Sequence, residues 1–223
     1  MNEGWGSVWA LKDEFIQAVQ DTAIMVGVAS TIGIIFGGAW SIWLYLSGDK
    51  QLFQHRILNS VLNWVISFMR AFPFVILMMA LIPATRAIVG STIGPVAASL
   101  VLSVSGLFYF ARLVEQNLRE VPRGVIEAAI SMGAAPMTII RKVLLNEARA
   151  GMVSSITVLT IGLLSYSAAA GMIGGGGLGD LAIRYGYYRY QTEVIVFIVA
   201  LLVLLVVVIQ SLGNWIARKL DKR

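Results

Sequence analysis

Long stretches without a charged side chain are the feature that most limits how this chain can fold. Five apolar stretches occur, the second interrupted by Arg70 and the fourth by Asp180: Thr22–Gly48, Ile57–Ile82, Ala87–Ala111, Ala150–Arg184 and Val194–Ala217. Each can cross roughly 30 Å of hydrocarbon, which takes about 20 helical residues. Because backbone groups in lipid must be satisfied within the segment, and no period-2 alternation occurs, helices are predicted rather than barrel strands.

We therefore predict an all-α membrane protein with a single transmembrane domain over residues 1–223. Its five transmembrane helices are expected at approximately 22–46, 57–82, 93–112, 151–172 and 194–216, and the longest connection is the loop 113–149. A hydrophobic content of 58% with 13% charged residues cannot be enclosed in one soluble core. Glu3, Asp13 and Glu14 precede the first apolar run, so no cleaved signal peptide is expected.

The distribution of lysine and arginine predicts the orientation in the membrane. With the N-terminus outside, the outer segments hold only four basic residues: Lys12, Arg86, Arg184 and Arg189. The inner segments hold twelve: Lys50, Arg56, Arg112, Arg119, Arg123, Arg141, Lys142, Arg149, Arg218, Lys219, Lys222 and Arg223. Because short cytoplasmic segments carry the excess of positive charge, the N-terminus is predicted outside and the C-terminus in the cytoplasm.

Several function classes are excluded by residues that the chain lacks. It has no cysteine and one histidine, His55, so a thiolate metal site or a Ser/His/Asp arrangement is not expected. The glycines at 174–179 match G-x-G-x-x-G, but they follow a membrane span rather than a strand, and no phosphate-binding GxxxxGK[ST] occurs. We therefore predict a subunit without catalytic activity, metal or cofactor. A nucleic-acid partner is not expected either, because the positive residues behind the net charge of +5 are spread between apolar runs and form no basic face.

The segment 113–149 contains the most informative local pattern. Pro122 suits a first helical turn and Gly133 suits a helix stop, which predicts a short helix that ends before Pro136. Residues at spacings of three and four are expected to share one face of it: Val125, Ala128, Ala129 and Met132. Small residues there would let another protein approach the backbone closely. The alternative is a solvated amphipathic helix on the membrane surface.

This segment resembles the signature of importer permeases of the ATP-binding cassette (ABC) superfamily, Glu-Ala-Ala, three residues, Gly, nine residues, then Ile-x-Leu-Pro. The first four positions match at full spacing, Val143 and Leu145 take the Ile and Leu positions, and Asn146 replaces the proline. The resemblance implies a type I ABC importer permease fold whose short helix sits in a groove of a separate ATPase that uses ATP and Mg. The coupling residues that it implies are Glu127, Ala128, Ala129, Met132 and Gly133.

Further stretches resemble the methionine-importer branch of this family: Arg70–Phe74, Ile82–Gly90, Tyr166–Ala168 and Gly174–Tyr187. The third helix departs from that branch, since a small, Pro-containing patch is replaced by the residues of Ser105–Tyr109. The resemblance implies a bacterial inner-membrane permease that imports methionine or a close relative by alternating access. It also implies a second copy of the chain, two ATPase subunits and an extracytoplasmic binding protein as partners.

Two further sets of residues are candidates for transport roles. The translocation path is assigned to Arg70, Ser165, Tyr166, Ser167 and Met172, although small residues also serve helix packing and Arg70 could instead pin carbonyls freed at Pro73. Docking of the binding protein is assigned to Asp180, Arg184, Tyr187 and Arg189, although the tyrosines nearby also suit an interfacial aromatic belt.

Three alternatives remain open at the level of sequence. An ion-coupled secondary transporter would need paired intramembrane ionisable residues and repeat symmetry, whereas Arg70 stands alone within the spans. A membrane scaffold would use the loop only as an anchoring site. Within the family, the cargo could be another amino acid, a dipeptide or a quaternary amine.

Overall fold

The protein is described here by a computed structural model that covers residues 6–48 and 51–221. Ten helices follow one another within these ranges: α1 Gly6–Ala10, α2 Lys12–Leu46, α3 Arg56–Ala71, α4 Phe74–Ala80, α5 Ile82–Val89, α6 Pro95–Arg119, α7 Arg123–Ser131, α8 Pro136–Gly175, α9 177–187 and α10 Thr192–Leu220. No strand occurs among these residues, so the predicted all-α fold is confirmed. Four residues used in the charge arguments lie outside the described ranges: Glu3, Lys50, Lys222 and Arg223.

Four helices are long and apolar enough to cross a membrane, and α3 with α4 forms a fifth, broken candidate span. The span predicted over 57–82 is broken at Pro73, where the sequence indicated a break, and α3 and α4 meet there at an angle of 100°. Phe72 has an extended backbone (φ −73°, ψ 127°) immediately before Pro73. Proline disfavours the helical conformation of the residue before it and has no N–H to donate, so the helix ends there.

The other spans lie where they were predicted, but their helices are longer. α2 begins at Lys12 instead of residue 22, α6 ends at Arg119 instead of 112, and α8 begins at Pro136 instead of 151. α10 covers Thr192–Leu220 instead of 194–216. The length of an uncharged run indicates only the part of a helix that can lie within the hydrocarbon core of the membrane. The helices continue past it with charged side chains that water can solvate, so the loop 113–149 is largely helical.

Helix α6 is the centre of the bundle and packs against both α2 and α8. One close contact with α2 is at Gly37, where a Cβ atom would stand 2.5 Å from the carbonyl oxygen of Leu107. Small residues at such points let two helix backbones approach within the membrane. The fully buried side chains around this axis include Leu102, Phe110, Leu118, Leu159 and Leu163.

A polar clamp joins α6 to α8 near the end that leads into α7. The side-chain amide of Asn117 donates to the hydroxyl of Ser155 at 2.6 Å and to the carbonyl oxygen of Gly151 at 3.1 Å. It also lies 3.0 Å from the carbonyl oxygen of Leu113 in its own helix. Polar side chains hydrogen-bonded across helices stabilise membrane bundles, each by about 0.6 kcal/mol on average and up to about 1.7 kcal/mol.

Replacement of Asn117 by leucine is expected to destabilise the permease by about 1 to 2 kcal/mol, because two interhelical hydrogen bonds are lost and Ser155 is left without this donor. Thermal unfolding of the purified chain in detergent measures the effect. Asn214→Leu is the matched control, since Asn214 is exposed on α10 and its side chain accepts only from Gln210 one turn away. Equal midpoints for the two variants would contradict the role of the clamp.

Candidate functional site: the α7 loop and the outer surface

Helix α7 is a short helix with a defined beginning and a defined end. Pro122 precedes it with an extended backbone (φ −59°, ψ 128°), so the proline caps the helix rather than occupying its first turn. At the other end Gly133 is left-handed (φ 74°), its N–H donates to Ile130 and that of Ala134 donates to Ala129. This pair of bonds is a Schellman motif, which a glycine in this position favours. The predicted short helix with its glycine stop is confirmed.

The two faces of α7 differ in what they contact. Its underside, Ile126 and Ala129, is buried in the main hydrophobic core, which here also includes Val121, Ile139, Ile140 and Leu144. Its outer face is exposed and carries the residues Val125, Glu127, Ala128 and Met132, with Met132 80% exposed. This face is free to bind another protein.

One predicted coupling residue is placed differently. Ala129 was expected on the same face as Ala128, but it is 4% exposed and packs inside the chain. Successive residues on a helix are separated by about 100°. Ala129 therefore lies between Ala128 and the buried Ile126, and in a helix of nine residues the tertiary contact decides its face. Its small side chain lets α7 approach its own bundle.

The underside of α7 rests on the first turns of α8, where Ile139–Leu144 form a π-helical segment. π-helical turns are frequent at functional sites. The helix continues through Leu145 and Asn146 without a break. α7 is therefore in direct contact with the start of α8, which runs on from this segment to the opposite end of the bundle.

A buried ionic cluster, not foreseen in the sequence, lies where α6 ends. The side chain of Glu115 is 1% exposed and pairs with Arg119 and, at 3.2 Å, with Arg112. Arg112 also donates to the side-chain oxygen of Asn63 on α3 at 3.1 Å. A carboxylate removed from water needs such partners. The spacing Arg, Glu, Arg at three and four residues is the sequence signal that could have indicated it.

Two of the residues proposed for the path, Arg70 and Tyr166, lie at the break between α3 and α4. The guanidinium of Arg70 lies 5.9 Å from the ring centre of Tyr109 on α6, and Phe74 stacks on Tyr166 of α8 at 4.9 Å. Arg70 is exposed and makes no hydrogen bond to a carbonyl among the described residues. The geometry therefore does not favour the alternative in which Arg70 binds the carbonyls freed at Pro73. Four helices, α3, α4, α6 and α8, converge on this point.

Three of the predicted path residues on α8 are exposed and one is not. Ser165, Tyr166 and Met172 are exposed on the bundle surface, Met172 by 61%. Ser167 is 2% exposed, and its hydroxyl donates to the carbonyl oxygen of Leu164 at 2.7 Å. Its hydroxyl is used within its own helix and its side chain faces the core, unlike the other three.

The residues proposed for docking meet part of the N-terminal region. Arg184 lies 2.7 Å from Asp180 and 3.6 Å from Glu14 of α2, and the hydroxyl of Tyr185 donates to Glu14 at 2.5 Å. The bond to Glu14 and burial raise the pKa of Tyr185, so its hydroxyl remains a donor at neutral pH. Arg189 lies over the Tyr185 ring at 4.3 Å.

This cluster fixes α9 to α2, and it leaves part of its surface free. Tyr187 is 65% exposed, Arg189 is exposed, and about half of the Arg184 side chain remains accessible. Two of the four predicted docking residues, Asp180 and Arg184, are thus engaged in an internal ion pair. Tyr187 and Arg189 present the more open surface.

The glycine-rich segment is a tight turn between α8 and α9. Gly174, Gly176 and Gly177 all have positive φ, a conformation that residues with a Cβ rarely adopt. The N–H of Leu178 donates to the hydroxyl of Thr22 on α2 at 3.0 Å. The turn follows helix α8. A dinucleotide-binding G-x-G-x-x-G segment would follow a strand, so the glycines here are not part of such a site. The turn packs closely against the chain's own α2, where a Cβ at Gly177 would meet Thr22 and Met25.

Comparison with known proteins gives the family of this architecture. The family model described as "Binding-protein-dependent transport system inner membrane component" matches residues 29–223. The "Probable D-methionine transport system permease protein MetI" of Vibrio cholerae is 43% identical over 95% of this chain and 94% of the relative. The "Methionine import system permease protein MetP" of Bacillus subtilis is 42% identical over 81% of each chain.

A solved structure has the same fold as this chain, and its name refers to methionine transport, as the names of the two relatives do. A chain from inward-facing conformations of the MetNI methionine ABC transporter superposes with a TM-score of 0.93 at 38% identity. The match covers 96% of this chain and 99% of that one. With this architecture and these matches, the chain belongs to the family of inner-membrane components of binding-protein-dependent transport systems.

Proposed function

We propose that this chain is the membrane-spanning permease of an ATP-driven importer for methionine. The observation that carries the proposal is α7, a rigid helix with its underside in the bundle and its small-residue face exposed. The relatives named as methionine permeases support the cargo. Because the chain carries no nucleotide-binding motif, a separate ATPase that uses ATP and Mg supplies the energy.

Two copies of the chain would form the working permease, as five spans line only one side of a central path. Each copy binds one ATPase subunit through Glu127, Ala128, Met132 and Gly133. ATP binding draws the ATPases together, and α7 carries this motion into α8 through the segment Ile139–Leu144. The cavity then opens outward to receive cargo, and hydrolysis resets it.

The path for cargo in this proposal passes the break between α3 and α4. Arg70, Ser165, Tyr166 and Met172 are exposed there on helices that a second copy would face. An arginine at this depth is costly unless protein or water surrounds it. A central aqueous path supplies that environment. The binding protein docks at the other end of α8, on Tyr187, Arg189 and the accessible part of Arg184.

The proposed orientation places the N-terminus outside and α7 in the cytoplasm, where ATP is. The chain has no cysteine, so single-cysteine variants report on it directly. We expect Tyr188→Cys, but not Met132→Cys, to react with a membrane-impermeant maleimide in spheroplasts. Both side chains are largely exposed, at 70% and 80%. In inside-out vesicles the pattern is expected to invert, and labelling of Met132→Cys in spheroplasts would contradict the orientation.

Reconstitution tests the function itself. Proteoliposomes with the permease, its ATPase and its binding protein are expected to accumulate radiolabelled methionine only with ATP. An ionophore that collapses the proton and sodium gradients should leave the initial rate unchanged. Uptake that survives ATP depletion and stops with the ionophore would identify a gradient-driven transporter instead. Competition by leucine, a dipeptide or a quaternary amine identifies any other cargo.

A further inference from the structure

A polar cavity of about 360 Å³ lies where α6 passes into α7, beside the connection between α2 and α3. Its wall is mostly polar, in contrast to the apolar surface of the spans. The polar side chains that line it are Tyr45, Gln51, Asn59, Arg119 and Arg123. No carboxylate lines it among the residues that the structure describes. The two arginines therefore make this cavity a candidate site for an anion.

Arg123, the first residue of α7, brings a charge to this cavity that the described part of the chain does not neutralise. Its side chain is exposed and forms no ion pair with a carboxylate within residues 6–48 or 51–221. Glu127 lies one turn later on α7 without pairing with it, and Glu120 lines a different cavity beside α8. The charge of Arg123 is therefore available to an anionic ligand.

Arg119, the last residue of α6, adds a second positive charge whose position is fixed. Its Nε atom pairs with the buried carboxylate of Glu115, while 57% of the Arg119 side chain stays accessible. Glu115 also pairs with Arg112, so this one carboxylate is opposed by two arginines. With Arg123 added, the junction of α6 and α7 keeps a net positive charge. Guanidinium groups held in this way suit the oxygens of a phosphate, which they can bind in pairs.

The cavity lies at the level where the apolar outer surface of the bundle ends. Trp43, on the last turn of α2, is 59% exposed, and Ile57, on the same turn of α3 as Asn59, is 74% exposed. Phe53, in the connection that contains Gln51, is exposed as well. Tryptophan is enriched where a membrane meets water, and exposed isoleucine suits the hydrocarbon beside it. The two arginines are therefore at the depth of lipid headgroups.

We propose that this cavity binds the headgroup phosphate of an anionic phospholipid between Arg119 and Arg123. In the orientation proposed above, the lipid belongs to the cytoplasmic leaflet, where basic cavities between transmembrane helices recognise such headgroups. Because Arg119 ends α6 and Arg123 begins α7, a phosphate bound to both bridges the two helices across the turn at Pro122. The lipid then helps to hold α7 in place against the bundle.

Lipid titration of the full-length permease, followed by native mass spectrometry after delipidation in detergent, tests the site. Phosphatidylglycerol is compared with phosphatidylcholine of the same acyl chains, and the wild type is expected to bind the first phosphatidylglycerol molecule more tightly. Arg123→Gln removes one charge from an exposed side chain. It is expected to weaken phosphatidylglycerol binding about fivefold and to leave phosphatidylcholine binding unchanged. Arg123→Lys keeps the charge and is expected to retain most of the affinity.

Arg218→Gln is the matched control for the loss of charge. Arg218 is exposed near the end of α10 and donates only to the carbonyl oxygen of Asn214 in its own helix. This variant removes the same charge at the same end of the bundle and should leave both lipid affinities unchanged. Equal losses in Arg123→Gln and Arg218→Gln would reduce the effect to overall charge and refute the site. A wild type that binds the two lipids equally would refute it as well.

Other occupants of the cavity would give different results. Inorganic phosphate or glycerol 1-phosphate, added at the concentration that saturates phosphatidylglycerol, should not displace the lipid, and displacement would identify a site for a soluble phosphate instead. Arg123→Gln that binds phosphatidylglycerol normally but no longer co-purifies with the ATPase would show that the cavity receives an acidic segment of that partner. Because the titration contains the permease alone, a failure of ATP-driven methionine uptake would refute the proposed function and leave the lipid site standing.

Discussion

Ala128→Trp is expected to abolish ATP-driven uptake, at least tenfold below the wild type, while the permease itself stays folded. Ala128 is on the exposed face of α7, so an indole there keeps a partner from approaching the helix backbone. The underside of the helix, formed by Ile126 and Ala129, remains packed in the core. The ATPase should no longer co-purify with the permease, since a bulky side chain at the centre of an interface leaves both surfaces apart.

Two comparisons make this prediction specific. Ala128→Ser keeps the residue small and is expected to retain uptake close to the wild-type level. The thermal midpoint of the isolated permease should be the same for both variants, because the outer face of α7 makes no contact with the bundle core. Normal uptake by Ala128→Trp would show that this face does not bind the ATPase.

Gly179→Ala is expected to have the largest effect on folding, with little permease recovered from the membrane. A Cβ atom at this position would overlap the carbonyl oxygen of Ala168 and stand 2.6 Å from its Cα atom. A second backbone contact nearby is also tight, since a Cβ at Gly171 would stand 2.8 Å from the carbonyl oxygen of Gly176. Backbone cannot move aside as a flexible side chain can, so α9 would separate from α8 and from Thr22.

Gly27→Ala is the control for this substitution. Gly27 is within α2, and a Cβ added there meets nothing within 4 Å. Alanine is favoured over glycine in a helix by roughly 0.8 to 1 kcal/mol, so this variant should be as stable as the wild type or more so. The comparison uses the yield of monodisperse permease in detergent and its thermal midpoint. Equal yields for both variants would contradict the close packing of α8 and α9.

The sequence predicted the spans well because the hydrocarbon core imposes one strong condition on every crossing segment. The sequence predicted the helix ends poorly. Helices α2 and α8 continue beyond the hydrocarbon core with charged residues, and a search for uncharged runs stops before those residues. Pro73 indicated a break but not the angle of 100° between α3 and α4, both of which contact α6. The short helix α7 was predicted by residues that act locally, the proline before it and the glycine after it.

The orientation of individual side chains was predicted less well. Ala129 and Ser167 were both assigned to functional surfaces and are both buried, because neighbouring helices decide which side of a small-residue stripe is covered. The contact of Tyr185 with Glu14 joins residues 171 positions apart and left no local signal. The spacing of Glu115 from Arg112 and Arg119 is compatible with ion pairs on one helix, but only the structure shows that the carboxylate is buried between the two arginines.

Crosslinking from α7 tests the central claim most directly. Photoreactive benzoylphenylalanine in place of Met132, a residue that is 80% exposed, is irradiated in membranes that contain the complete transporter. We expect a crosslink to the ATPase, and we expect none from the same amino acid at Tyr187 on the opposite side. Absence of the ATPase crosslink from position 132, or its appearance from position 187 instead, would contradict the assignment of α7 as the coupling helix.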